Sequence, residues 1–517
     1  MRSIFALFAL SLFLRLVKSE INENKIAFIS LPGMELLLNT ERELLLNMEN
    51  YSNALEAKFN VIRRAIAEMR AEHFKSIEDA EKYLSNPLNS FALIRRLHTD
   101  WIHWELYMKS PVGDAEIDIS QKLHIHWPSS EDMDQVTDAM HRLQTTYNLQ
   151  PFQMAAGLLN GKQNNASLSS RDCFEIGQRL LGQGDIFYSS EWLYAAIQRY
   201  EENEVNTVLG FDLLQICELY METFFKQYRY DAALEIANFA LEYSPNNAKF
   251  LDARSLIEHD MKTSNKIPIP FEVHVSEQIS LYYRCCRGEF DNRLTRLHCR
   301  YSTTTHPFLK LAPFKMEEIL MDPYIAIFYD VVSDAEIAEI KAIARPYLRP
   351  AYVYDAYKEE SYAHKARTNQ ECSFRDSDSN TTKRIMQRVT DISGLDLDGS
   401  EEMHTMNYVL AAHYDPHYDF FNVSEDIEMV RGVGDRIATV VLYFSDVDQG
   451  GSTVFPYLEI AVHPRKGSAL IWYNLNNRGD ADQRTLHAAC PVIVGSKWIG
   501  TKWIHEHAQT FRRPCFV

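Results

Sequence analysis

The apolar residues of this chain change period part-way along it, and that change limits the folds open to it. Between about Leu36 and Asp260 they recur at helical spacing. Beyond about Glu401 they fall in short β-rich runs, Thr405–Ala411, Ile437–Phe444, Ala469–Tyr473 and Trp498–Ile504, divided by Gly-rich or Asp/Asn-rich turns. Helix-period and strand-period segments bury different kinds of face, so the chain is expected to be multidomain. Its 517 residues give each of about three domains enough length to bury a core.

The helical part has its own divisions. From Leu36 to Met69, Leu45, Ser52, Phe59 and Ile66 recur every seven residues, as do Met48, Leu55, Ile62 and Met69. Such seams fit a coiled coil or one amphipathic helix of a bundle. Helical spacing continues through Trp101–Tyr107 and Met133–Tyr147, and a polar loop at Gly161–Ser170 marks a boundary. Paired amphipathic helices follow from Asp172 to Asp260. The stretch Tyr230–Pro245 carries Ala233 and Ala240 where a tetratricopeptide second helix needs small residues, and Trp192, Ala195 and Ala196 sit similarly in Phe174–Glu201. One or two such units would present a concave face with aromatics such as Phe187, Tyr188, Tyr220 and Tyr230. After Ile267-Pro-Ile-Pro-Phe271 the pattern changes, Ser333-Asp-Ala-Glu336 forms a capping box, and the later strands suit a double-sheet jelly roll.

Met1–Ser19 reads as a secretory signal, with Arg2, a short apolar run Ile4–Leu14, and a cut after Ser19. The sequons at Asn50, Asn165, Asn380 and Asn422 fit the same compartment, as do eight cysteines in a lumen that permits bridges. A net charge of −18 argues against nucleic acid or an anionic membrane as the main partner. The last residues, Arg-Arg-Pro-Cys-Phe-Val517, contain no retention tetrapeptide, so retention would need another protein.

Two His-x-Asp triplets overlap in the β-rich part, His413-Tyr-Asp415 and His417-Tyr-Asp419. On extended backbone, residues two apart face the same way, so either could offer an imidazole and a carboxylate to one metal. His487 lies downstream, just before another strand. Two histidines and one carboxylate leave three positions of an octahedral iron open, which O2 and a bidentate co-substrate require. A zinc site would more often be four-coordinate, and no His-Glu-x-x-His is present. Ten residues past His487, Lys497 enters the next strand, where a 2-oxoglutarate enzyme needs a cation for the far carboxylate.

The segments Tyr414-Asp-Pro-His-Tyr-Asp-Phe, Arg436-Ile-Ala-Thr-Val, Gly450-Gly-Ser-Thr-Val-Phe-Pro, Trp472-Tyr-Asn-Leu and His487–Trp498 resemble the catalytic α subunit of collagen prolyl 4-hydroxylase. The likeness extends over nearly the whole mature chain. It implies that His417, Asp419 and His487 bind Fe(II), with His413 a neighbour. It further implies that Tyr408 and Lys497 contact 2-oxoglutarate, and that Tyr414, Arg436, Trp503 and His505 line the proline channel; Tyr188, by the pattern of its helices, is the candidate on the peptide groove. The implied disulfides are Cys286–Cys299 and Cys490–Cys515. The implied reaction is C4 hydroxylation of proline in X-Pro-Gly repeats, using O2, 2-oxoglutarate and L-ascorbate, in the endoplasmic reticulum lumen. The implied partner is protein disulfide isomerase, in an α2β2 tetramer. Domains would then be 1–19 signal, 20–149 helical dimerisation region, 150–260 tetratricopeptide-like peptide-binding domain, 261–320 disulfide-bearing linker, and 321–517 jelly-roll (double-stranded β-helix) dioxygenase. A decayed proline-rich-peptide-binding chaperone subunit is the competing reading. Ala411-Ala412 replaces the family's Gly-Gly pair, and 367–373 lacks a family Trp that bears on peptide preference.

Overall fold

A single helix of 44 residues, α1 (Leu31–Phe74), dominates the N-terminal part of the computed structural model. Ser30 caps it, its Oγ accepting from Gly33 N at 3.1 Å, and a proline follows at the first helical turn. The structure describes residues 30–77, 79–124, 127–271, 275–290, 298–351, 353–355, 360–362, 365–421 and 430–512. The expected signal at 1–19, Asn422 and Cys515 lie outside these ranges. Two compact units divide between Ser129 and Ser130.

In the first unit, α1 is accompanied by α2 (Ala80–Ser85), α3 (Pro87–Arg95), α4 (Trp101–Lys109) and α5 (Asp114–Leu123). Asn47 Nδ2 donates to Glu116 O at 2.6 Å, and Lys58 Nζ donates to Met108 O and Ser110 O at 3.1 and 2.5 Å. These bonds turn Asn47 and Lys58 of α1 toward the shorter helices, and Thr40 and Asn47 are buried. Most of the apolar heptad residues face the other way, with Leu45, Met48 and Phe59 57%, 70% and 55% exposed, whereas Ile62 and Met69 are half-buried. No described helix of the chain is long and apolar enough to cross a membrane.

The second unit begins with helices α6 (Ser130–Tyr147), α7 (Pro151–Ala155), α8 (Ser170–Gln183), α9 (Ile186–Gln198), α10 (Glu204–Val208), α11 (Leu213–Lys226), α12 (Tyr230–Tyr243) and α13 (Ala248–Thr263), with a small hairpin β1 (Leu158–Leu159) and β2 (Lys162–Gln163) between α7 and α8. Ala195, Ala196, Ala233, Ala237 and Ala240 are wholly buried, because their lack of bulk lets paired helices approach closely. Helix α6, expected with the N-terminal region, instead joins this core through Ala139, Leu143 and Tyr147. Trp192 is fully buried against it and donates Nε1 to Gln144 Oε1 at 2.9 Å. Of the expected groove aromatics, Tyr230 is a core residue, packed edge-on against Phe225. Tyr188 remains half-buried between His141 and Phe271, with ring centroids 4.5 and 5.5 Å away.

The rest is built on antiparallel strands. Helices α14 (Glu277–Arg287), α15 (Asp334–Ala344, opened by the expected Ser333–Glu336 capping box) and α16 (Asn380–Ser393) accompany them. The strands are β3 (Cys299–Ser302), β4 (Phe314–Met321), β5 (Tyr324–Tyr329), β6 (Arg349–Pro350), β7 (Val353–Asp355), β8 (Glu360–Tyr362), β9 (Gln370–Phe374), β10 (Met403–Tyr408), β11 (Tyr414–His417), β12 (Arg436–Tyr443), β13 (Gln449–Gly450), β14 (Thr453–Phe455), β15 (Ile460–Val462), β16 (Ala469–Tyr473), β17 (His487–Ala489), β18 (Val492–Val494) and β19 (Lys497–His505). A nine-stranded major sheet runs β3-β4-β5-β16-β12-β19-β10-β9-β6, and a four-stranded minor sheet runs β11-β17-β14-β15. Their apolar residues, including Met406, Tyr443, Phe455, Trp472 and Trp503, share one core.

Two expectations need correction. Strands β3 and β4 already belong to the major sheet, so 261–320 is not simply a linker. The disulfide joins Cys286 to Cys490, which excludes the expected Cys286–Cys299 and Cys490–Cys515 pairs, and Cys299 is a free, exposed thiol. The cause is packing: α14 lies on the minor sheet, with Tyr282 and Cys285 buried against Val454, Ala488 and Cys490. That contact brings Cα atoms 204 residues apart in sequence to 5.6 Å, within bridging reach.

The Trp192–Gln144 bond yields the first prediction. Gln144→Ala strands a buried indole N–H, which should lower stability by roughly 1–3 kcal/mol. Urea unfolding followed by tryptophan fluorescence reads the loss.

Candidate active site

Strands β11 and β17 pair so that His417 lies directly opposite His487. Cross-strand neighbours share a face, so this register alone brings two imidazoles together. Asp419 follows two residues after β11 and completes the group: one ligand atom from each of the three lies within 4.8 Å of the others. Among the described residues no other group of His, Cys, Asp and Glu converges in this way.

The surrounding hydrogen bonds orient each member. His417 Nδ1 lies 2.7 Å from Asp415 O, and His487 Nδ1 lies 3.0 Å from Thr485 O. Each Nδ1 therefore carries the proton and each Nε2 turns a free lone pair to the common point. Thr439 Oγ1, on the major sheet, donates to Asp419 Oδ2 at 2.7 Å and accepts from Asn474 Nδ2 at 2.9 Å. Burial, with His487 adding to it, pushes His417 down to about 3. Burial opposes ionisation of Asp419, but His487, His417 and Arg436 outweigh it and hold the carboxyl below its usual value. An ionised carboxylate beside a neutral imidazole is the state in which such side chains take a divalent metal.

The overlapping triplet is occupied with itself. His413 Nε2 pairs with Asp415 Oδ1 at 3.1 Å, and its Nδ1 meets Thr368 Oγ1 at 3.0 Å.

The β10–β19 register places Tyr408 opposite Lys497. Lys497 is wholly buried, with its Nζ 5.3 Å from the Tyr408 ring centroid and 3.4 Å from Thr453 Oγ1. Among the described residues no carboxylate pairs with it. Burial alone pushes this amine down to about 7. A buried cation without a counter-charge fits an anionic ligand that brings the missing charge.

The same logic of register pairs Arg436 with His505 across β12 and β19, with Thr439 opposite Trp503. The Arg436 guanidinium lies between the rings of Phe421 and Trp503, at 4.5 and 4.3 Å, and its Nη1 donates to Asp419 O at 3.2 Å. Glu401 joins the cluster, accepting from Arg436 Nε and Nη2 at 2.5 and 2.8 Å and lying 3.1 Å from His505 Nε2. Burial raises the Glu401 carboxyl, but His505 and Arg436 prevail and hold it at about 2. Tyr414 stacks on the His417 ring at 3.6 Å, and Arg367 covers its other side at 5.0 Å. Thr439, Asn474 and Thr453 stood within motifs noted in the sequence but without a role. Arg367 opens the altered 367–373 segment but was given no role there, and Glu401 carried no sequence signal, since its partners Arg436 and His505 are distant along the chain.

An antiparallel core that presents two histidines and a carboxylate beside a buried, unpaired lysine defines a 2-oxoglutarate- and iron(II)-dependent oxygenase. Residues 403–505 match the 2OG-Fe(II) oxygenase superfamily, and residues 30–161 match the family described as prolyl 4-hydroxylase alpha-subunit, N-terminal region. Prolyl 4-hydroxylase subunit alpha-1 of Rattus norvegicus is 32% identical over 510 residues, covering 94% of this chain and 95% of that protein. Subunit alpha-2 of Gallus gallus is 33% identical over 511 residues, with the same coverage of 94% and 95%. The chain belongs to the prolyl 4-hydroxylase α-subunit family. Its cofactor is Fe(II), with 2-oxoglutarate and O2 as co-substrates and ascorbate as the accompanying reductant.

Two predictions follow from the geometry. Thr439→Val removes the donor that orients Asp419 and should weaken metal binding about 10- to 100-fold, measurable with Mn(II) by calorimetry. If Lys497 is the cation that 2-oxoglutarate meets, the anion takes its charged form, and affinity should be flat below about pH 7. Above that, binding must take up a proton, and affinity should fall by up to roughly tenfold per pH unit. Affinity independent of pH between 6.5 and 8.5 would contradict the role of Lys497.

Proposed function

We propose that this chain hydroxylates C4 of peptidyl proline in X-Pro-Gly repeats of procollagen-like chains, converting 2-oxoglutarate to succinate and CO2. The observation that carries the proposal is the convergence of His417, Asp419 and His487 beside the uncompensated amine of Lys497. Iron(II) held by the three ligands supplies the oxidising chemistry with O2. Lys497 holds the far carboxylate of 2-oxoglutarate, with Tyr408 forming the adjoining wall. Phe455 and Trp472 pack around His487, with ring centroids 5.9 and 4.7 Å away, and exclude water from that side. Tyr414, Arg436, Trp503 and His505 line the approach of the proline ring, with Glu401 keeping Arg436 and His505 in place.

The two sheets form a double-stranded β-helix, and the paired helices α8–α9 and α11–α12 are tetratricopeptide-like. Their aromatic face, with Tyr188 on it, takes the extended polyproline II form of the substrate. The exposed heptad face of α1 pairs with a second copy, so that two catalytic chains assemble with protein disulfide isomerase as α2β2. The proposed location is the endoplasmic reticulum lumen, reached by the signal at 1–19. Asn50, Asn165 and Asn380 are exposed and open to glycosylation there.

His417→Ala, Asp419→Ala and His487→Ala should each abolish peptide-dependent 2-oxoglutarate decarboxylation. Asp415→Ala should leave a measurable rate. Activity that survives in Asp419→Ala but not in Asp415→Ala would overturn the ligand assignment. Lys497→Ala removes a charge-assisted hydrogen bond of roughly 1.5–3 kcal/mol. It should therefore raise the KM for 2-oxoglutarate about ten- to a hundredfold, with the peptide KM little changed.

A further inference from the structure

The turn that launches the metal-binding strand is held by a residue far outside the β-sheets. Val409–Ala412 closes through Ala412 N donating to Val409 O at 2.9 Å, and both central residues, Leu410 and Ala411, are left-handed, with φ of 48° and 58°. Turns of this kind normally use Gly, Asn or Asp, because other L side chains crowd the backbone there. Here Leu410 and Ala411 pack into the core of the helical region, which accounts for side chains at these positions. Arg142, on α6, donates Nη1 to Ala411 O at 2.9 Å. Five residues further along α6, Tyr147 donates its hydroxyl to Pro491 O at 2.6 Å, four residues after His487. Val492 N then donates to Ala412 O at 3.3 Å, joining the two anchored segments.

We propose that Arg142 is a positioning residue for the iron centre. By pinning the left-handed turn, it determines where β11 starts, and so where His417 and Asp419 stand relative to His487. The adjacent His141 ring lies 4.5 Å from that of Tyr188, so one turn of α6 also touches the aromatic face of the helical region. The proposal rests on the ligand triad, not on peptide binding by that face.

The test uses full-length chain co-expressed with disulfide isomerase, and Mn(II) binding in the presence of 2-oxoglutarate, read by calorimetry. Arg142→Met should weaken Mn(II) about tenfold. Arg142→Lys, which keeps one donor, should recover part of the loss. Adding Ala411→Gly to Arg142→Met should also recover affinity, because glycine holds a left-handed φ without support. Unchanged Mn(II) affinity in Arg142→Met overturns the proposal. So does a loss that Ala411→Gly fails to restore, which would assign Arg142 to general stability. If Arg142→Met is not obtained folded, Arg142→Lys decides, and wild-type affinity in that variant overturns the proposal. Failure of the triad itself would be distinct, appearing as wild-type chain that binds no Mn(II).

Discussion

The register of β11 on β17 is the constraint on which the rest of the site depends. Side chains on paired strands alternate faces with a period of two, so a slip of one residue would send His417 away from His487. Their direct opposition leaves Asp419 only the small task of reaching the same point from the end of β11. The major sheet then fixes that reach, because Thr439 on β12 holds the carboxylate and Asn474 holds Thr439. The metal point is therefore defined by two sheets at once. A single sheet could align two ligands but not enclose them.

Register also explains why the remaining functional groups come in pairs. Tyr408 faces Lys497, and Arg436 faces His505, each across one pair of strands. The two pairs differ in how charge is balanced. Arg436 and His505 share Glu401, so that cluster is complete in itself and can serve as a rigid wall. Lys497 has no such partner among the described residues, and burial makes its charged form unfavourable. A lysine left in that condition costs stability unless an anion supplies the missing charge. This contrast leaves one cation satisfied within the fold and the other, among the described residues, without a counter-charge.

The helical region is more than an appendage to the β-sheets. Helix α6 contributes to the core around Trp192 and at the same time holds segments on either side of the ligand strands. The disulfide adds a third tie, from α14 to the residue that follows β17. A boundary drawn at Gly161–Ser170 from polar composition missed this, because α6 is an ordinary amphipathic helix whose partners cannot be read from its period. The left-handed turn at Leu410–Ala411 costs about 1–2 kcal/mol per residue, and contacts from the helical region offset it.

Legible in the residues alone were the change from helical to strand period, the capping box at Ser333, several strand positions such as Ala469–Tyr473, and a candidate ligand set. These are local properties, set by residue type over a few positions. His413 and His417 were equivalent at that level, and the family resemblance, not spacing, separated them. It took the folded chain to show that Asp415 turns to His413 while Asp419 turns to His417 and His487. It alone showed Glu401 between Arg436 and His505, and Cys286 bonded to Cys490 where Cys286–Cys299 and Cys490–Cys515 were expected. Such pairings join residues up to 204 positions apart. They depend on which sheet face meets which helix, and periodicity along one segment carries no information about the segment that will cover it.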